Sequence, residues 1–81
     1  MDSHHLTLLA DALAEQAAAI AEKPVTLVSV TFDRIAAAPA GAALHASIEI
    51  TRATRTLVFS RGDLRDGAGS LVLSATAVHR I

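Results

Sequence analysis

SHHLTLLADALAEQAAAIAE, from Ser3 to Glu22, is the one stretch of this chain with a convincing helical period. Leu6, Leu9, Ala10, Leu13, Ala17, Ile20 and Ala21 recur at three-, four- and seven-residue steps and make one apolar stripe. Asp11, Glu15 and Glu22 fall together on another face. Ser3 is placed to cap the helix, with Asp2 beside it favoured by the helix dipole. Pro24 ends the run, because a proline pushes its predecessor out of the α region. Everything after it reads as β-structure, so the fold turns on how a sheet uses this helix.

Working outward, VTLVSVTFDRI (25–35) alternates, with Val28, Val30 and Phe32 on one face and Ser29, Thr31 and Asp33 on the other. The Ala-rich residues 36–43 hold Pro39 and Gly41 and read as a turn. Residues 43–53 give the cleanest period of two, Leu44, Ala46, Ile48 and Ile50 against His45, Ser47, Glu49 and Thr51. A short turn around Thr54 leads to a strand over 55–65, in which Gly62 is expected to mark a bulge or a bend. Asp66-Gly67-Ala68-Gly69 is a hairpin signal, and 70–81 is the last strand, with Leu71, Leu73, Ala75 and Ala77 on one face. The expected architecture is α+β: a helix over 3–22 and four antiparallel strands in a single domain, 1–81, the last three a meander.

Composition sets the chemistry available. A chain of 81 residues buries roughly 60–65% of its unfolded surface, so it is marginal alone, and oligomerisation is the usual remedy. Cysteine is absent, which excludes disulfides and thiolate chemistry. Aromatics are 2% of the chain, so the core must be built from Ala, Val, Leu and Ile. Net charge is −1, which argues against a nucleic-acid partner. The charge is unevenly spread: Asp2, Asp11, Glu15, Glu22 and Asp33 face Lys23 alone in the first part, and six arginines dominate from Arg34 on. No apolar run approaches the roughly 20 residues of a membrane span, and the start does not resemble a signal peptide, so a cytoplasmic protein is expected.

The order of elements, and the residues in them, resembles the hot-dog fold of small acyl-CoA thioesterases of the phenylacetate-pathway and 4-hydroxybenzoyl-CoA type. The matching features are Val28-Ser29-Val30-Thr31-Phe32 before a Pro/Gly loop, the small-and-aliphatic strand Leu44 to Arg52, Arg55-Thr56-Leu57-Val58-Phe59, and the turn and strand Asp66 to Ala77. The resemblance covers residues 6 to 81 and implies a reduced hot-dog: one central helix packed on a four-stranded antiparallel sheet. In the family a further strand precedes the helix, whose start reads His-Gly-Gly; here the corresponding place reads Ser3-His4-His5-Leu6.

The resemblance implies an acid on the helix as nucleophile or general base toward a thioester carbonyl, and by position this is Asp11, with Glu15 second. It implies an oxyanion held by backbone N–H groups at the helix start, those of His5 and Leu6, where orphan donors and the positive dipole end coincide. It also implies arginines on the phosphates of coenzyme A, here Arg52, Arg55 and Arg61, and a site at the interface of a homodimer or homotetramer. Acyl-CoA is the expected substrate, with no resident cofactor. The bland readings stand beside these: carboxylates on the solvated side of a helix, and arginines guarding a sheet edge. His4 and His5 are adjacent, so they point about 100° apart and suit exposed residues near a terminus better than a metal clamp. His45 and His79 stand alone in strands, and no metal site is expected. Two functions follow: an acyl-CoA thioesterase-like enzyme, or a non-catalytic hot-dog subunit that binds an acyl ligand or serves in assembly, which the absent glycines favour. A third reading is an interaction module in which the helix stays at the sheet's edge.

Overall fold

The computed structural model describes residues 3–38 and 43–81. Helix α1 spans Ser3–Ala21, and strands β1 (Thr26–Arg34), β2 (Leu44–Ala53), β3 (Leu57–Asp66) and β4 (Leu71–Arg80) follow. The helix stops where Glu22 enters the left-handed region, φ 56°, two residues before Pro24. The cap expected from the Ser3 side chain and Asp2, and the turn at Pro39 and Gly41, lie outside the described residues and side chains.

All pairings are antiparallel and the sheet order is β1-β4-β3-β2. The last three strands form the expected meander, and β1 joins beside β4, so β1 and β2 are the edges. Helix α1 packs across one face. The residues turned toward it are Val58, Ser60, Gly62 and Leu64 from β3 and Leu73, Ala75, Ala77 and His79 from β4, all buried. Leu9, Leu13 and Ala17 meet them with no exposed surface, at the spacing the stripe requires. Each fully buried Leu contributes about 1.5–3 kcal/mol, which in a core without large aromatics makes Leu9, Leu13, Leu64 and Leu73 its main support. Ile20, the sixth member of the expected stripe, is 56% exposed, because the helix has run past the core by its last turn.

Gly62 departs from its expected role. It sits in regular register, opposite Ile48 on β2 and Ala75 on β4, and the irregularities lie elsewhere, at Leu27/Ser29, Ile50/Arg52 and Leu64/Arg65. Its physical function is close approach. A Cβ there would lie 2.7 Å from Cδ1 of Ile48, 2.9 Å from Cδ1 of Leu9 and 3.2 Å from Cδ2 of Leu13. A bare backbone position under the helix is what lets both leucines reach the sheet.

The two hairpin turns follow their side chains. Thr54 Oγ1 accepts from the N–H of Leu57 at 3.0 Å. The Asp66 carboxylate accepts from the N–H groups of Ala68 and Ser70, each at 3.0 Å, and Gly69 supplies the positive φ of 87°.

Two polar atoms on the helix side of the sheet, Ser60 Oγ and His79 Nδ1, are buried without a hydrogen-bond partner. Burial lowers the pKa of His79 below 6.5. The unfolded chain therefore binds a proton at a pH where the folded chain does not, so stability is full above about pH 6.5 and declines as the pH falls below it.

Two measurements follow. Gly62→Val is expected to cost roughly 1–3 kcal/mol of unfolding free energy in urea, and Gly62→Ala less, because the facing atoms are side-chain ends that can shift. His79→Leu is expected to flatten the loss of thermal stability between pH 7.5 and about 5.5 that the parent chain shows; an equal slope in both proteins would assign that loss to other groups.

Candidate active site

Asp11 and Glu15 are exposed and lie one turn apart on α1. The start of the same helix carries His5 and Leu6, the first buried and the second half-buried. Their backbone N–H groups belong to the first turn of the helix, at its positive dipole end, and that turn contains no acidic side chain. From His5 to Asp11 the rise is roughly 9 Å along the axis, too far for both to meet one carbonyl group from the same helix.

His5 itself differs from expectation. Rather than standing in solvent like His4, it is 9% exposed, tucked between α1 and the end of β1. Arg34 Nη1 donates to His5 Nδ1 across 3.3 Å, and Arg34 Nη2 is buried without a hydrogen-bond partner. A guanidinium held this way gives up hydration that one imidazole does not restore. No sequence signal marks this pair, since 29 positions separate its members. It orients the helix, however. His5, Leu8, Ala12 and Glu15 follow at three- and four-residue steps and share one side of α1. Because His5 meets Arg34 of β1, that side looks toward the β1 edge.

That edge is apolar as well as unpaired. Leu27 (48% exposed), Val28 (55%) and Ile35 (54%) lie on or beside β1, and Leu8 (36%) is on the adjoining side of the helix. The β1 edge thus combines an unpaired strand with most of the exposed large apolar side chains among the described residues, whereas Asp11, two residues from buried Leu9 and from buried Leu13, stands on the outer side of the helix.

The arginines lie elsewhere. Arg52 is paired in register with Phe59, and Arg61 with Glu49, on the sheet face turned away from α1; Arg55 is in the β2–β3 turn. All three are exposed, and Arg61 has only a loose contact with Glu49, 3.9 Å. Within one chain the sheet stands between Arg52 and Arg61 on one side and Asp11 on the other. Among the described residues no three His, Cys, Asp or Glu side chains gather as metal ligands, and no helix is long and apolar enough to cross a membrane.

No protein-family model matches the chain, and no curated protein matches it. Solved structures do. An X-ray structure of a protein from the thioesterase superfamily overlays the whole chain with a TM-score of 0.87 at 22% identity. The chain has the hot-dog fold. A phenylacetic acid degradation-related protein of Ralstonia eutropha overlays 91% of the chain at TM-score 0.83 and 24% identity. A Bacillus halodurans protein, crystallised with CoA, overlays 91% at 0.83 and 16%. The hot-dog chain spans 61%, 56% and 50% of the lengths of these three neighbours. Its structural neighbours are thioesterase-superfamily hot-dog proteins.

The Arg34–His5 pair yields a stability test. Replacing a half-buried, poorly compensated cation with an apolar side chain of similar length is commonly neutral or stabilising. Arg34→Met is expected to leave the urea midpoint unchanged or raise it; a large drop would show that the guanidinium supports the fold.

Proposed function

We propose that this chain is an acyl-CoA thioesterase-like hot-dog protein that binds acyl thioesters, and hydrolyses them, at an interface between copies of itself. The observation that carries the reading is the position of Asp11. It is an exposed carboxylate on the outer side of the central helix, roughly 9 Å along the axis from the helix start at His5. The CoA held by the Bacillus halodurans neighbour supports coenzyme A as the ligand class.

In this reading the thioester oxygen lies on the His5 and Leu6 N–H groups of one copy, which stabilise the negative charge that develops there, and the acid that meets the same carbonyl comes from the other copy, since roughly 9 Å separates the two along one helix. The Asp11 carboxylate either takes a proton from the attacking water or attacks the carbonyl carbon itself, and Glu15 is the second candidate for that role. The carbon–sulfur bond breaks, and the coenzyme leaves as a thiolate that is then protonated. Water supplies the oxygen of the carboxylic acid product, directly or by hydrolysing the acyl–Asp11 anhydride. Arg52, Arg55 and Arg61 are the candidates for the coenzyme's phosphates. Since the sheet separates Arg52 and Arg61 from Asp11 in one chain, they serve a given Asp11 only from another subunit. A homodimer joined at the β1 edge, or a homotetramer, covers Leu8, Leu27, Val28 and Ile35.

A second reading is a non-catalytic subunit that binds an acyl ligand or serves in assembly. What favours it is the helix start, where no glycine lets the backbone close on a ligand and the His5 side chain fills the space toward β1.

Thiol release from a panel of acyl-CoA thioesters, on protein of determined oligomeric state, separates the two. Asp11→Asn is expected to remove turnover by at least about a hundredfold while leaving the unfolding midpoint in place, since the side chain is exposed. Equal turnover in that variant rules out Asp11 as the acid. Absence of turnover in the parent, with coenzyme A still bound, selects the assembly or binding subunit.

A further inference from the structure

The face of the sheet turned away from α1 has no layer above it, and its charges are sorted along the strands. Register divides it into rows that run across the sheet. Thr26, Arg80 and Leu57 make the first. Ser29, Val78, Phe59 and Arg52 make the second, and Thr31, Thr76, Arg61 and Glu49 the third, each over all four strands. Asp33, Ser74, Asp63 and Ser47 make the fourth. The first two rows thus carry two arginines and no acid, and the fourth carries two carboxylates and no base. Arg52, Arg80 and Asp33 have no partner of opposite charge among the described residues, and the Arg61–Glu49 contact is loose at 3.9 Å. Asp63 has Arg65 at 3.8 Å. Phe59, one of two aromatic side chains in the chain, is half-buried in the second row with Val78 beside it.

This order is complementary to its own reversal. A two-fold axis that runs across the strands, between the second and third rows, lays a second copy on the face with each strand over its own image and the rows reversed. The second row then lies on the third of the other copy, and the first on the fourth. Arg52 comes over the second copy's Glu49, Arg61 over its Phe59, and Arg80 over its Ser74, between its Asp33 and Asp63. Symmetry makes each contact twice. A guanidinium is favourable on a carboxylate and on a ring face alike. Packed sheets stand about 10 Å apart and paired strands about 4.8 Å, distances that arginine side chains span. The alternative axis, along the strands, sets Arg52 over Ser29 and Glu49 over Thr31, and joins no opposite charges. Four strands by four rows cover about 19 by 27 Å, so the two copies together bury on the order of 1,000 Å², the lower limit of a specific interface. Charge pairing therefore sets the register of this contact. The hydroxyls of Ser29, Thr31 and Thr76, which line an open groove beside the axis, suit ordered waters that bridge the copies.

We propose that this face is an interface between two copies of the chain, related by a two-fold axis across the strands and held in register by Arg52 on Glu49, Arg61 on Phe59, and Arg80 between Asp33 and Asp63. The β1 edge stays free, so this contact combined with one at that edge gives a four-chain assembly. It engages Arg52 and Arg61, and so narrows the candidates for the coenzyme's phosphates to Arg55, in the β2–β3 turn outside the rows.

The test is sedimentation equilibrium of the full chain over a range of concentrations, at about 0.05 and 0.5 M salt. An association step that doubles the mass is expected, with a Kd that rises several-fold in the higher salt. Arg52→Glu, which sets carboxylate over carboxylate at two places, is expected to weaken that step at least about tenfold, and Arg52→Glu/Glu49→Arg to restore it. Both positions are exposed, and circular dichroism checks that the variants are folded. Val28→Glu, on the β1 edge, is expected to leave the step in place. The proposal is overturned by a parent chain without the step, by Arg52→Glu associating like the parent, by failure of the charge reversal to restore association, or by loss of all association in Val28→Glu. No ligand and no turnover enters these measurements, so this interface and the assignment of Asp11 stand or fall separately.

Discussion

The distance of closest approach between α1 and β3 governs the whole structure. A single backbone position without a side chain, Gly62, lies beneath Leu9 and Leu13, and Ala75 is next to it on β4. Those two small residues let a helix lie on the sheet instead of being held off by it. Once it does, the alanine-rich composition is no longer a shortage of bulk. Close-packed backbones leave little volume to fill, and four leucines with small neighbours fill it.

The same approach sets the division of labour between the faces of the sheet. The helix covers the side carrying Val58, Leu64, Leu73 and Ala77, so those positions are fixed by packing. The opposite side escapes that demand and collects hydroxyls, arginines and Phe59. The β1 edge is neither covered by the helix nor paired on its outer side, and there the exposed apolar residues gather. Three surfaces with different chemistry result from one packing contact: an acidic helix flank beside an apolar edge, a cationic hydroxyl-lined face, and the β2 edge.

Much of this was legible in the sequence, for physical reasons that differ by element. The stripe through Leu9, Leu13 and Ala17 and the alternation through Leu44 to Thr51 declared helix and strand because burial on one side imposes its own period. The order of those elements suggested the hot-dog arrangement that the solved structures share. Gly62 was ambiguous because a glycine in a strand serves equally for a bulge or for close approach, and only the helix overhead decides between them. Ile20 follows the stripe's period, yet the period does not record where the sheet ends. His5 and Arg34 are far apart in the chain, and a contact of that kind leaves no local trace. For the candidate site, the sequence placed Asp11 and Glu15 on a solvated side of the helix, and that is where they stand. It carried no information on which face of the sheet would hold Arg52, because that depends on the irregularity between Ile50 and Arg52 as well as on the alternation.

The register of β1 with β4 brings Thr26 against Arg80, whereas β2, β3 and β4 pair with their sequence neighbours. Within these residues the helix and β1 are made before β4, the strand that β1 pairs with, at residues 71–80. The apolar side of α1 likewise has no β3 or β4 to cover it during that interval. The pairing of β1 with β4 therefore waits on the contacts of greatest sequence separation in the sheet, the kind of contact that slows folding.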